Sequence, residues 1–129
     1  VSEVNDVTVI DDTYNANPDG VSYALQYLRQ FKGRKILILG DMKELGSDSR
    51  KCHQEVVLHA MDAEVSLVLT YGPECSEMKG DEDMPVYHFD SREALHDLVK
   101  VELKAGDVVL VKGSRSMKME ETVDFINAH

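Results

Sequence analysis

The run Lys35-Ile36-Leu37-Ile38-Leu39 limits what this chain can fold into more than any other stretch. Side chains of a strand alternate between two faces, and here both faces are apolar, so this strand must be covered from above and below. A parallel sheet with helices on each side provides that cover, whereas an antiparallel sheet with one wet face does not. Further segments of the same kind surround it. Residues 7–10, Val-Thr-Val-Ile, are β-branched throughout and read as a first strand. Residues 65–70, 86–89 and 107–111 read as the third, fourth and fifth.

Helical periodicity fills the gaps. Val21, Ala24, Leu25 and Leu28 form one stripe, opened by the start signal Asn17-Pro18 and ended by Gly33. Cys52, Val56, Val57, Ala60 and Met61 form a second, with Ser47 or Ser49 as its cap. A weak helical turn is expected over 74–78. Leu95, Leu98 and Val99 mark a third long helix behind Asp90 and Glu93, which have capping-box spacing. Met119, Val123 and Ile126 point inward from the last helix, and the acidic, turn-rich stretch 79–85 reads as the most mobile loop.

Five strand-helix alternations without a clear hairpin turn predict an α/β fold, a Rossmann-like three-layer sandwich with a mostly parallel sheet and helices on both faces. A chain of 129 residues, 43% of them hydrophobic, fills one core, so residues 1–129 read as a single domain. The loops after strands one, two, three and five then leave one edge of the sheet and bring their polar residues together. Loops 31–34 and 104–106, at the other edge, read as plain connectors.

Three of the converging loops carry chemistry. The first strand runs into Asp11-Asp12-Thr13-Tyr14-Asn15-Ala16-Asn17-Pro18. The acidic pair has a bland reading as a strand end with an Asx turn, but a phenol and two amides are not needed for a turn and suit a polar ligand. The second loop, Gly-Asp-Met-Lys-Glu-Leu-Gly, offers Asp41 and Glu44, or is a glycine-bounded connector with both solvated. The last, Lys112-Gly-Ser-Arg115, concentrates two cations and a small hydroxyl in an otherwise acidic chain. There Arg115 is the bidentate anion ligand and Lys112 the point charge.

Other classes fall away. A formal charge of −10 argues against nucleic acid as a partner. No apolar run approaches the roughly 20 residues needed to span a bilayer, and no secretion leader is seen, so no membrane insertion is expected. Cys52 and Cys75 lack disulfide or metal spacing, as in a reducing cytoplasm. His53 and His59 lie six apart and do not share a helix face, so no metal site is expected of them. Cys52 reads as core, His88 as a strand residue and His96 as an exposed helix residue. Neither GxxxxGK[ST] nor GxGxxG occurs, so no catalytic residue is expected within this domain alone.

Together the three motifs, DDTYNANP, LGDMKELG and VKGSRSMKME, resemble in order and spacing the C-terminal domain of the Mur ligases. The resemblance covers about residues 7–126. Where sister ligases have Tyr-Ala-His or Tyr-Gly-His, this chain has Tyr14-Asn15-Ala16-Asn17, which implies the branch that joins D-alanyl-D-alanine to UDP-N-acetylmuramoyl-tripeptide. Such enzymes have three domains: one binds the UDP-sugar, a central one carries the P-loop and Mg2+ sites, and the third closes over both. The N-terminal and central domains are missing from this sequence. By resemblance, Asp11 and Asp12 would accept the ribose hydroxyls of ATP, Tyr14 and Asn15 would border the nucleotide, and Asn17 would cap the following helix. Asp41, Glu44, Lys112, Ser114 and Arg115 would meet the dipeptide or the precursor peptide. Two alternatives share the layout. One is another ligase of the superfamily, such as a folylpolyglutamate or cyanophycin synthetase. The other is a free-standing receiver-like module, against which the third strand ends in Thr70 and Tyr71 instead of an aspartate.

Overall fold

The computed structural model describes residues 1–14 and 16–128. Its elements run β1 (Ser2–Val4), β2 (Val7–Asp12), α1 (Pro18–Arg29), β3 (Lys35–Gly40), α2 (Ser49–Asp62), β4 (Leu67–Tyr71), β5 (Val86–Phe89), α3 (Arg92–Glu102), β6 (Val108–Lys112) and α4 (Glu120–Ala128). One sheet holds all six strands in the order β1-β2-β6-β3-β4-β5. Strands β2 to β6 pair in parallel, and only β1 is antiparallel.

The expected architecture is present, with β3 central and buried at every position. Helices α1 and α2 cover one face, where Val21, Leu25, Leu28, Val56, Val57 and Ala60 pack on Ile10, Leu37, Leu39 and Leu110. The other face carries α3 and α4, with Leu95, Val99, Val123 and Ile126 against Val9, Ile36, Ile38 and Val111. Alternate residues of β3 thus enter opposite cores, as the two-faced apolar run requires.

Several local expectations are corrected. A hairpin does exist: β1 and β2 are joined by Asn5 and Asp6, with φ of 52° and 63°, the left-handed pair a tight two-residue hairpin turn needs. Helix α1 ends at Arg29, ahead of Gly33. Neither Ser47 nor Ser49 caps α2, which begins after Asp48 without a side-chain cap; the Ser49 hydroxyl donates instead to Glu74. Ser91, and not Asp90, caps α3 by accepting from the Ala94 amide at 3.1 Å. The turn expected over 74–78 is a 3-10 turn at Pro73–Cys75. Cys52 is half-buried at the margin of a core. His96 is also half-buried, stacked on Phe125 with centroids 4.3 Å apart.

Nor are the connectors at the amino edge of the sheet plain. Arg34 donates to both carboxylate oxygens of Asp107, at 3.1 and 2.7 Å, to the Glu102 carboxylate at 2.7 Å and to the Glu102 carbonyl at 2.6 Å. The α1–β3 connection is thereby tied to the end of α3 and to the α3–β6 connection by one guanidinium, whose protonated form is further favoured by its hydrogen bond to Asp107.

Candidate functional site

At the carboxyl edge the strands β2, β6, β3 and β4 deliver their loops side by side. Lys112, at the end of β6, is buried and places its Nζ 2.6 Å from Asp12 Oδ2 at the end of the adjacent β2. The two charges fix the mouth between these strands, and the half-exposed Asp12 still faces solvent. Asp11 does form the Asx turn: its Oδ1 accepts from the Thr13 amide at 3.2 Å and the Thr13 hydroxyl at 2.7 Å. Asn17 caps α1, accepting from the Gly20 amide at 2.8 Å with Pro18 at the first helical position. Asn15 lies outside the described residues.

Loop 41–45 is fixed from beneath. Asp41 is fully buried; its Oδ1 accepts from the Cys75 amide at 3.0 Å and its Oδ2 from Lys43 Nζ at 3.1 Å. Its carbonyl accepts from the Ser114 amide, while Ser114 Oγ accepts from the Lys43 amide at 2.6 Å. Asp41 therefore shapes the cleft floor, and buried Ser114 joins the loops after β3 and β6. Gly72, at φ 114°, leaves no room for a side chain here, because a Cβ would stand 2.5 Å from the Asp41 carboxylate.

Two clefts open above this floor. The first, about 570 Å³, is lined by Tyr14, Lys43, Glu44, Ser114, Arg115 and Ser116. The second, about 380 Å³, is lined by Asp11, Asp12, Thr13, Tyr14, Arg115 and Glu120. Tyr14 and Arg115 belong to both, with the guanidinium carbon 5.2 Å from the ring centroid. Their stack separates a cleft with two cations and one carboxylate from one with three carboxylates and one cation. The first suits a small anion, and the second suits hydroxyl donors and disfavours anions.

The structure thus brings Asp11, Asp12, Tyr14, Glu44, Ser114 and Arg115 to the clefts, while Lys112 and Asp41 brace them. Sequence reasoning passed over Lys43 and gave Ser116 and Glu120 no ligand-binding role. Lys43 lay inside a motif already singled out, and a cation two residues after a loop aspartate was the available signal.

Another cluster bears on metal binding. Asp41, His53 and Cys75 are buried and offer one ligand atom each, all within 4.8 Å of one another. His53 Nε2 accepts from the Met42 amide at 3.0 Å, which leaves the proton on Nδ1, donated to the Ser49 carbonyl at 2.7 Å. Burial pushes the Cys75 thiol well up, and the Asp41 charge adds to this. Protonated sulfur and engaged nitrogen and oxygen make this a hydrogen-bonded support for loop 41–45, not an open ligand set.

A family model described as the Mur ligase glutamate ligase domain matches residues 1–115. A UDP-N-acetylmuramoyl-tripeptide--D-alanyl-D-alanine ligase of Haemophilus influenzae is 38% identical over 121 residues, covering 89% of this chain and 26% of the relative. The Escherichia coli enzyme of the same name is 37% identical over 117 residues, with coverage of 89% and 26%. This chain spans about a quarter of the length of these relatives. Among solved structures, a MurF ligase from Thermotoga maritima in complex with ADP superposes with a TM-score of 0.86 at 29% identity, over 98% of this chain and 29% of that one.

Proposed function

Because this chain belongs to the Mur ligase family, as its glutamate ligase domain, we propose that it is the C-terminal domain of an ATP-dependent ligase joining D-alanyl-D-alanine to UDP-N-acetylmuramoyl-tripeptide in cytoplasmic peptidoglycan precursor synthesis. The observation that carries this reading is the pair of unlike clefts sharing Tyr14 and Arg115. A domain that must face both a nucleotide and a peptide needs two adjoining environments of this kind.

In this reading ATP supplies the phosphoryl group that activates the peptide carboxylate for attack by the dipeptide amine. The domain orients and encloses. Asp11 and Asp12, in the acidic cleft, accept the ribose hydroxyls, with Tyr14 and Asn15 along the nucleotide. Glu44, Ser114 and Arg115 face the peptide, and Asp41 and Lys112 hold the loops in register beneath them. Closure over the other two domains excludes water, which would otherwise hydrolyse the activated carboxylate. In this reading Mg2+ travels with the ATP phosphates on the central domain, and the carboxylate oxygens that Asp11 and Asp12 do not spend on Thr13 and Lys112 meet the ribose.

The test is ligation by the full-length protein. With ATP, Mg2+ and UDP-N-acetylmuramoyl-tripeptide, ADP release that depends on D-alanyl-D-alanine, with the matching mass gain on the precursor, is the expected result. Release independent of dipeptide, or dependent on a single amino acid instead, overturns the proposal.

A further inference from the structure

We infer that Lys43 is a specificity-determining residue that holds, together with Arg115, the C-terminal carboxylate of the incoming dipeptide in the larger cleft. This rests on the function proposed above. The dipeptide amine is the nucleophile and must project toward the activated carboxylate, so the end left for this domain to hold is the carboxylate.

Of the two clefts, only the one lined by Lys43 suits that group. It has two cations, with the hydroxyls of Tyr14, Ser114 and Ser116 around them, whereas the other adds Asp11, Asp12 and Glu120 to a single guanidinium. Lys43 is also placed with care. Its amide donates to Ser114 Oγ at 2.6 Å, fixing the backbone to the β6 loop, and its Nζ rests 3.1 Å from the fully buried Asp41. The Lys43 side chain is 37% exposed, so the ammonium, with three donors, can keep Asp41 and still meet an incoming carboxylate. Glu44, at φ 65° on the same loop, gives the cleft one negative charge and so disfavours a second carboxylate on the ligand.

The experiment compares D-alanyl-D-alanine with its C-terminal carboxamide as substrates of the full-length enzyme, in wild type, Lys43→Gln and Lys43→Arg. Gln keeps a donor toward Asp41, and melting curves check the fold. Lys43→Gln should raise KM for the free dipeptide on the order of tenfold, the size of one charged hydrogen bond. It should leave kcat within about twofold and shrink the preference for acid over amide by the same factor as KM. Lys43→Arg should restore most of that preference. If wild type ligates the dipeptide and Lys43→Gln keeps the acid-to-amide ratio, the Lys43 assignment fails and the functional reading stands. A lower melting temperature with an unchanged ratio makes Lys43 only a brace for Asp41 and also overturns it. No dipeptide-dependent ligation by wild type overturns both.

Discussion

Arg115 lies across the ring of Tyr14, its guanidinium carbon 5.2 Å from the centroid, and no carboxylate of a described residue comes within ion-pair distance of it. The guanidinium is therefore held by an aromatic face and keeps its donors available. Asp41, Glu44 and Glu120 do not hold it.

Replacing Arg115 by Lys keeps the charge and removes the fork. In the full-length enzyme Arg115→Lys should lower kcat/KM for the dipeptide while the melting temperature stays nearly unchanged. Paired kinetic and melting measurements decide: a drop of several degrees with unaltered kinetics would show a bracing role.

Tyr14 contributes the platform. A cation over an exposed ring is worth about 0.5 to 1 kcal/mol, so Tyr14→Ala should raise the dipeptide KM by a few-fold and Tyr14→Phe should not. Equal effects of the two changes would move the role from the ring to the hydroxyl.

The isolated domain should show neither ATPase nor ligase activity, since its sequence contains no phosphate-cradling loop. Phosphate release measured against a no-enzyme blank should be zero, and calorimetry should show only weak ATP binding, because ribose contacts supply a small part of a nucleotide's affinity. A submicromolar dissociation constant would contradict this.

At the opposite edge, Arg34→Met would leave Asp107, buried beside β6, without its charged partner and with only the Lys104 amide still donating to its carboxylate. Removing one member of such a pair should destabilise the domain by about 2 to 4 kcal/mol, at the low end because Arg34 is partly exposed. Urea unfolding measures it, and a change below about 0.5 kcal/mol would reduce the clamp to surface decoration.

Cys75 gives a pH signature. Its folded-state thiol titrates well above the ordinary value near 8.5, so the unfolded chain loses this proton first. The associated stability is full below about pH 8.5 and falls as pH rises beyond it. Unfolding free energy measured at pH 8 and pH 10 should decline more in wild type than in Cys75→Ala. In native protein at pH 8, iodoacetamide should label Cys52 and spare Cys75.

The layered fold was legible because burial on both faces of β3 admits few arrangements, and the inward stripes of α1, α3 and α4 followed the helical period. What escaped detection was local. The Asn5-Asp6 hairpin lacks the glycine that usually announces such a turn, so β1 was missed. The α3 cap was misplaced because Asp90 and Ser91 stand side by side and each can form the same hydrogen bond, while α2 starts without any side-chain cap. In the site, charged residues were identified by type, but pairing across strands was not readable. Nothing local in the sequence indicates that Lys112 turns to Asp12 or that Asp41 is sealed under its loop.

The antiparallel course of β1 has a mechanical consequence. Ser2 stands opposite Val9, midway along β2, and β1 runs from there toward the amino edge, so a segment ahead of it approaches from the carboxyl side, roughly 10 Å along the strand from Asp12. Any polypeptide joined ahead of Val1 would be tethered beside the clefts instead of across the domain from them. Rotation about such a junction would change the direction the clefts face more than it would change their distance from the point of attachment.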